Sequence, residues 1–202
     1  MCGFVGIFNK DNNLDIAKFK SALSLLNHRG PDSRGIWQYQ NSIFFGHNRL
    51  SIIDTSSAAN QPFVSRNKDA VIIFNGEIYN FKTLKNQLSF NNFKTFSDTE
   101  VILQGYLEYG VAFFNKLRGI YSFAILDLRK NNEIILVRDP AGIKPLYFIK
   151  KESFLIFASE IKAIKFLLDK NPEINENSIR QYLNLGFIPE PHTIFRNIHA
   201  IR

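Results

Sequence analysis

Residues 121–158 read YSFAILDLRKNNEIILVRDPAGIKPLYFIKKESFLIFA. The stretch contains four apolar segments rich in β-forming residues, separated by short turns that contain Asn, Pro or Lys. Segments of this length and spacing predict antiparallel strands joined as meanders. The predicted strands are Tyr121–Leu128, Glu133–Val137, Leu146–Ile149 and Leu155–Ala158.

Further strand and helix patterns lie on both sides of this stretch. Gly3–Asn9 is a short apolar run typical of a strand, and Asp15 is a candidate N-cap for a helix that reaches Asn27. The strands come in groups and do not alternate regularly with helices, which indicates an α+β fold with antiparallel sheets flanked by helices. The other predicted elements are strands at Ile36–Tyr39, Ile43–Gly46 and Val71–Phe74, and helices at Asn80–Leu88, Asp98–Tyr109 and Ile161–Leu168.

The character of the chain changes after Asp169. Residues 170–177 are polar, Ser178–Leu185 is a short helix candidate, and Gly186–Pro191 contains two prolines. We therefore predict one domain over residues 1–168 and a linker over residues 169–202. The chain stops after an extended run, Thr193–Ile201, so we expect it to be a piece of a longer protein.

The composition restricts the class of protein. Hydrophobic residues form 45% of the 202 residues, as in a globular fold, and no apolar stretch approaches the ~20 residues that span a bilayer. The formal charge is +7, but the basic residues are scattered, which disfavours a nucleic-acid partner. A single cysteine excludes an intrachain disulfide. We expect a cytoplasmic protein without a membrane partner.

Cys2 has a chemical option that an internal cysteine lacks. Removal of Met1 would leave Cys2 with a free α-amine, whose pKa of about 7.7 to 8.0 lies well below the ~10.4 of a lysine. Such an amine can accept the thiol proton, so one residue would supply both nucleophile and base. The alternative for a lone cysteine is an inert, small hydrophobic residue.

Asn75 and Gly76 follow directly on the predicted strand Val71–Phe74. Acyl transfer through a tetrahedral intermediate needs hydrogen-bond donors near the developing oxyanion, and an Asn side-chain amide with a glycine N–H would supply two. The alternative is a simple Asn-Gly turn.

Arg49 and Asp98 are candidates for holding a zwitterionic amino acid. A guanidinium would bind the α-carboxylate, and a carboxylate would bind the α-ammonium from the opposite side. The alternative for Arg49 is a surface ion pair, and for Asp98 it is the cap of the predicted helix.

Six motifs in order and spacing identify a family. Together they resemble the glutaminase domain of glutamine-hydrolysing asparagine synthetase, a class II amidotransferase of the N-terminal nucleophile hydrolases. The resemblance runs from Met1 to about Lys165. The motifs are MCGFVGIF (1–8), HRGPD (28–32), RLSIID (49–54), NGEIYN (75–80), SDTE (97–100) and RDPAGIKPLY (138–147).

The resemblance implies a four-layer αββα sandwich in which Cys2 attacks the carboxamide of L-glutamine. It also implies an oxyanion hole of Asn75 and Gly76 and substrate binding by Arg49 and Asp98. Backbone contacts to the substrate are implied at Leu50, Ser51, Ile52, Ile53 and Glu77. Neither a metal nor a cofactor is implied for this domain.

The resemblance also implies a C-terminal synthetase domain, or a partner subunit, that amidates aspartate with ATP and magnesium. Its Ser-Gly-Gly-x-Asp-Ser phosphate loop is absent here, whereas FIPEPHTIFRNI (187–198) resembles the linker leading into it. We therefore interpret residues 169–202 as linker and start of that missing domain, and a homodimer stays open. Two alternatives remain. The same glutaminase chemistry could serve a sugar-modifying amidotransferase of surface-polysaccharide synthesis, or a chain that retains Met1 could bind glutamine without catalysis.

Overall fold

Two antiparallel sheets form the centre of the protein. The computed structural model describes residues 1–202. The six-stranded sheet has the order β10-β8-β9-β1-β3-β2, and the four-stranded sheet has the order β4-β5-β6-β7. The strands are β1 (Gly3–Asn9), β2 (Ser33–Tyr39), β3 (Ile43–Arg49), β4 (Phe63–Val64), β5 (Ala70–Ile78), β6 (Gly119–Asp127), β7 (Glu133–Arg138), β8 (Tyr147–Lys150), β9 (Phe154–Ala158) and β10 (His199–Ala200).

Helices cover the outer face of each sheet. Helices α1 (Ile16–Ser24) and α4 (Ile161–Leu167) pack on the six-stranded sheet, and α2 (Phe81–Lys85) and α3 (Asp98–Tyr109) pack on the four-stranded sheet. The remaining helix is α5 (Glu176–Leu185). The predicted α+β class and the αββα layer order are confirmed. None of the five helices is long and apolar enough to cross a membrane.

The strands of the site have two buried faces. In β1, Phe4 points into the core between the sheets, whereas Val5 packs under α1 and α4. In β5, Ile73 points between the sheets and Ile72 packs under α3. Side chains alternate along a strand, so every second residue of β1, β3 and β5 faces the opposite sheet. The predicted site residues Cys2, Arg49 and Asn75 lie at such positions.

The predicted strands of residues 121–158 exist, but they do not form one meander. β6 pairs with β7 in the four-stranded sheet, and β8 pairs with β9 in the six-stranded sheet. The chain crosses between the sheets after Arg138. The Asp139 carboxylate fixes this crossing, because it accepts the backbone N–H groups of Tyr121, Ile143 and Lys144.

The segment after residue 168 packs on the domain. β10 pairs with β8, and Ile198 is fully buried in the core beneath the six-stranded sheet. Ile174 and Phe195 form a further bridge within the segment. The boundary at residue 168 stays a prediction, but the residues beyond it contribute a strand and a core side chain that the linker interpretation did not include.

Candidate active site

One cavity brings the N-terminus together with the end of β3 and the C-terminal half of β5. Cys2 precedes β1 and has the same parity as Phe4, so it faces the opposite sheet. Arg49 and Asn75 lie on the equivalent faces of β3 and β5. The cavity has a volume of about 290 Å³. Its walls contain Met1, Cys2, Arg49, Leu50, Ile52, Ile53, Asp54, Ala59, Gln61, Phe74, Asn75, Gly76, Glu77, Ser97, Asp98, Thr99 and Lys144.

The Cys2 thiol rests on the backbone of Leu50. The Leu50 N–H donates to Sγ at 3.3 Å, and Sγ lies 3.6 Å from the Leu50 carbonyl oxygen, which accepts the thiol proton. Burial raises the pKa of the Cys2 thiol, although the Leu50 hydrogen bond and the Arg49 charge oppose the shift. The thiol is therefore protonated at rest and needs a base to become a nucleophile.

The base depends on the processing of Met1. With Met1 in place, the nitrogen of Cys2 belongs to a peptide bond and cannot accept a proton. The Met1 side chain is 56% exposed, so no packing in the core holds it. Removal of Met1 would convert the Cys2 nitrogen into an amine on the same residue as the thiol.

The carbonyl group of Cys2 is held by a buried arginine. Arg29 donates from Nε to this carbonyl at 2.9 Å and forms an ion pair with Glu160 at 3.0 Å. His28 and Lys162 also contact the Glu160 carboxylate, each at 2.9 Å. Burial opposes ionisation of Glu160, but its hydrogen bonds to Lys162, Arg29 and His28 outweigh burial and lower its pKa to about 2. The backbone of Cys2 is therefore held by Arg29, which is itself paired with Glu160.

Asn75 has an unused donor inside the cavity wall. Its side chain is 1% exposed, and its Nδ2 has no hydrogen-bond partner. A buried amide normally finds a partner, because an unpaired one costs about 1–3 kcal/mol. Asn75 and Cys2 line the same cavity, and an oxyanion hole requires such a donor close to the nucleophile.

Gly76 lies within β5, which continues to Ile78, so the predicted strand end at Phe74 and the Asn-Gly turn are both wrong. The strand continues because β6 pairs with it as far as Gly119. A Cβ atom at Gly76 would lie 2.2 Å from the carbonyl oxygen of Ile120, so only glycine fits this close approach.

The N–H of Gly76 points to the open edge of β5. Backbone groups of alternate residues point to opposite sides of an antiparallel strand. The N–H of Tyr79 points towards β6 and donates to the carbonyl oxygen of Arg118. The N–H groups of Phe74 and Ile78 point the other way and donate to side-chain oxygens of Gln61 and Asp98. Gly76 shares the parity of Phe74 and Ile78. β4 is only two residues long and does not reach it, so the Gly76 N–H is available to a ligand.

Arg49 is buried and forms no surface ion pair. Its guanidinium donates to the carbonyl oxygens of Asp54 and Ser56 and, at 2.8 Å, to Oδ1 of Asn60. The side chain is fixed at the cavity wall by these contacts. A guanidinium carries five N–H donors, so two remain for a carboxylate in the cavity.

Asp98 is a buried carboxylate without a cationic partner. It does not cap α3, because Ser97 occupies the cap position and accepts from the N–H of Glu100. The Asp98 carboxylate accepts the Ile78 N–H at 3.0 Å, and burial raises its pKa to about 6. A ligand with an ammonium group would supply the missing positive charge.

Of the five residues predicted to contact the substrate through their backbone, four line the cavity and one does not. Leu50, Ile52 and Ile53 line the cavity, and Glu77 forms part of its wall. Ser51 does not line it, and its N–H donates to the Asp32 carboxylate at 2.7 Å. The backbone contact of Ser51 to a ligand stays a prediction.

Several residues of the site carried no predicted role. Arg29 and Asp32 belong to the HRGPD motif, and Lys144 belongs to RDPAGIKPLY, so the motifs themselves contained the signal. The sequence carried no signal for the roles of Gln61 and His47, because both side chains act by contacting Phe74 of β5. These contacts join residues that are 13 and 27 positions apart in the chain. Only the tertiary structure reveals such contacts.

The sequence and the fold match a known class. The model of the glutamine amidotransferase domain family matches residues 1–202, and the chain belongs to this family. The likeness extends to solved structures: glutamine phosphoribosylpyrophosphate amidotransferase from B. subtilis superposes with a TM-score of 0.68 and 26% identity, over 82% of this chain and 43% of that one.

Within the family, several similar sequences are asparagine synthetases. Asparagine synthetase [glutamine-hydrolyzing] 1 of Bacillus subtilis is 38% identical over 208 residues, which cover 100% of this chain and 32% of that protein. Putative asparagine synthetase [glutamine-hydrolyzing] 2 of Methanocaldococcus jannaschii is 35% identical over 216 residues, 98% of this chain and 42% of that protein. The chain thus spans less than half the length of these relatives, and the resemblance inferred from its motifs is confirmed.

Proposed function

We propose that the cavity binds L-glutamine and hydrolyses it to L-glutamate and ammonia. The unpaired amide donor of Asn75, in the wall of the cavity that Cys2 also lines, carries this proposal, because a nucleophile and a donor in one cavity are what acyl transfer requires. Arg49 binds the α-carboxylate with its free N–H groups, and Asp98 binds the α-ammonium. The carboxamide of the substrate then lies towards Cys2.

The α-amine and the thiol of Cys2 can carry out every proton transfer of the reaction. The α-amine of processed Cys2 takes the thiol proton, and Sγ attacks the carboxamide carbon. The oxyanion receives hydrogen bonds from Asn75 Nδ2 and the Gly76 N–H. The carbon–nitrogen bond breaks as the ammonium group of Cys2 returns its proton to the leaving nitrogen, which departs as ammonia. Water, deprotonated by the same amine, hydrolyses the thioester and restores the thiol.

The proposed destination of the ammonia is a synthetase region like that of the longer relatives. There, ATP and magnesium would activate aspartate; the glutaminase step itself needs no cofactor. Exposed apolar side chains at the opening of the cavity support a protein partner. Ile52, which lines the cavity, is 59% exposed. Phe96 is 80% exposed, and its N–H donates to the carboxylate of Asp54, which lies in the same loop as Ile52. Exposed apolar side chains grouped in this way favour contact with another protein surface. A cytoplasmic location is part of the same proposal.

A comparison of N-termini tests the nucleophile. The chain that starts at Cys2 should release glutamate from glutamine. Chains that start at Met1 or carry an added glycine before Cys2 should not, because the nitrogen of Cys2 is then part of a peptide bond and cannot accept the thiol proton. Cys2→Ala should be inactive and remain folded by circular dichroism. A glutamine-mimicking diazo ketone should label Cys2 alone.

Two results would contradict the proposal. Equal turnover by the Met1-blocked chain would exclude the α-amine as the base, and turnover by Cys2→Ala would exclude the nucleophile. Binding of glutamine without turnover by the chain that starts at Cys2 would favour a non-catalytic glutamine-binding module. For the acceptor, the longer protein should convert aspartate to asparagine only with glutamine, ATP and magnesium present. Amidation of a sugar instead would identify the other branch.

A further inference from the structure

His47 connects the two sheets at the active site. It lies on β3 with its side chain directed between the sheets and is fully buried. Its Nε2 is 2.9 Å from the carbonyl oxygen of Phe74 on β5. A carbonyl has no proton to give, so Nε2 must carry the hydrogen and donate it. The other ring nitrogen, Nδ1, has no partner.

The protonation state of His47 suits this single contact. Burial lowers the pKa of His47 to about 4, against a smaller opposing effect of the Phe74 hydrogen bond. The ring is therefore neutral at the pH of the cell interior. The hydrogen bond fixes the tautomer, because only the form with a proton on Nε2 can donate to Phe74.

Phe74 is held by side chains where its strand has no neighbour. β4 ends its pairing at the partners of Val71 and Ile72, so the backbone groups of Phe74 face an open edge. Gln61 accepts the Phe74 N–H at 2.6 Å, and His47 donates to the Phe74 carbonyl. Both backbone groups of the residue that precedes Asn75 are thereby restrained.

His47 is also close to the nucleophile in the other sheet. It pairs with Phe4 of β1, two residues after Cys2, and it lies two residues before Arg49. One hydrogen bond therefore connects the strand pair that carries Cys2 to the strand that carries Asn75 and Gly76. A displacement of about 1 Å between such groups can lower a rate about 10²-fold.

We propose that His47 is a positioning residue that sets the distance between the Cys2 thiol and the donors of Asn75 and Gly76. It acts through the Phe74 carbonyl and does not touch the substrate. The inference rests on the proposed glutaminase function, in which these two donors stabilise the oxyanion.

Three substitutions of His47 separate the hydrogen bond from packing. In His47→Gln, the amide nitrogen occupies nearly the place of Nε2 and can still donate to Phe74. In His47→Asn, the amide nitrogen matches Nδ1 and cannot reach. His47→Leu is apolar. We expect His47→Gln to retain kcat within about fivefold, and the other two to lose about 10- to 100-fold in kcat with a smaller change in KM.

Alkylation of Cys2 by iodoacetamide provides a second readout. In this reaction the thiol displaces iodide from a saturated carbon and no oxyanion forms, so the alkylation rate reports the reactivity of the thiol alone. We expect all three variants, as chains starting at Cys2, to be alkylated at rates within about twofold of the parent, while glutamine turnover of the Asn and Leu variants falls. Comparison of Gln with Asn keeps the test informative if the Leu variant does not fold.

Three results would overturn the inference. These are unchanged kcat in His47→Asn, an equal loss in His47→Gln and His47→Asn, and a parallel loss of alkylation and turnover. Asn75→Ala, measured alongside, separates a failure of the proposed oxyanion hole from a failure of the role of His47. Full turnover in Asn75→Ala would refute the oxyanion hole itself, whereas loss in Asn75→Ala with unchanged His47→Asn would refute only the role of His47.

Discussion

Replacing Asn75 by leucine should lower activity without lowering stability. The Asn75 side chain is 1% exposed, and its Nδ2 makes no hydrogen bond. A buried, unpaired amide costs about 1–3 kcal/mol, and a change to an apolar side chain of similar size typically costs less than about 1.5 kcal/mol in fit. The free energy of unfolding should therefore stay constant or rise by about 1–2 kcal/mol.

The effect on catalysis should be large and opposite in sign. Loss of one oxyanion donor costs about 2.7–4 kcal/mol in barrier, which is about a 10²- to 10³-fold loss of kcat. The measurement is glutamate release at saturating glutamine by the chain that starts at Cys2. Unfolding in urea, followed by circular dichroism, supplies the stability.

Asn80 provides a matched control outside the cavity. Both ends of its amide are bonded, with Nδ2 donating to the Lys116 carbonyl at 2.9 Å and Oδ1 accepting the Arg118 N–H at 3.0 Å. Asn80→Leu should therefore lose about 0.5–1.5 kcal/mol of stability, because these hydrogen bonds are solvent-exposed, and should keep its kcat. If Asn75→Leu loses stability and activity together, as a damaged fold would, the reasoning that Nδ2 is held free for the oxyanion is refuted.

Three further predictions concern the charge of Asp98 and the packing of Ile198. The pKa of Asp98 is about 6 in the folded chain and about 3.9 in an unfolded one, so the free energy of unfolding falls as pH rises from about 4 to about 6. Asp98→Asn should therefore raise the free energy of unfolding at pH 7 by up to about 3 kcal/mol. The same substitution should lower kcat/KM. The kcat/KM of the parent for glutamine should fall as pH decreases through about 6, because protonated Asp98 cannot pair with the α-ammonium, and a flat profile between pH 5 and 7 would contradict this role. Ile198→Ala should cost about 2–5 kcal/mol in urea unfolding because Ile198 is fully buried, whereas Phe187→Ala, at a side chain 59% exposed, should stay within about 0.5 kcal/mol. Equal, small losses would show that the segment after residue 168 adds nothing to the domain.

Local sequence patterns determined several elements of this protein. The predicted strand Gly3–Asn9 and helix Asp98–Tyr109 have the same bounds in the structure, and Asp15 caps α1 as expected. These features depend on residues a few positions apart, whose spacing and capping chemistry are visible in the sequence. The order of the motifs was also sufficient to indicate the family.

Partnerships between distant residues were decided only by the tertiary structure. The sequence could not show that β6–β7 and β8–β9 belong to different sheets, because each hairpin has the same local pattern. It also could not show that β5 extends past Phe74, or that a two-residue β4 leaves the Gly76 N–H unpaired.

The site itself depends on such partnerships. Cys2 meets Leu50 across 48 residues of chain, and His47 meets Phe74 across 27. The sequence determined which residues are able to perform the chemistry. Their distances and burial, and therefore their protonation states, depend on how the two sheets stack, since that packing places groups from separate strands in one cavity and removes water from around them.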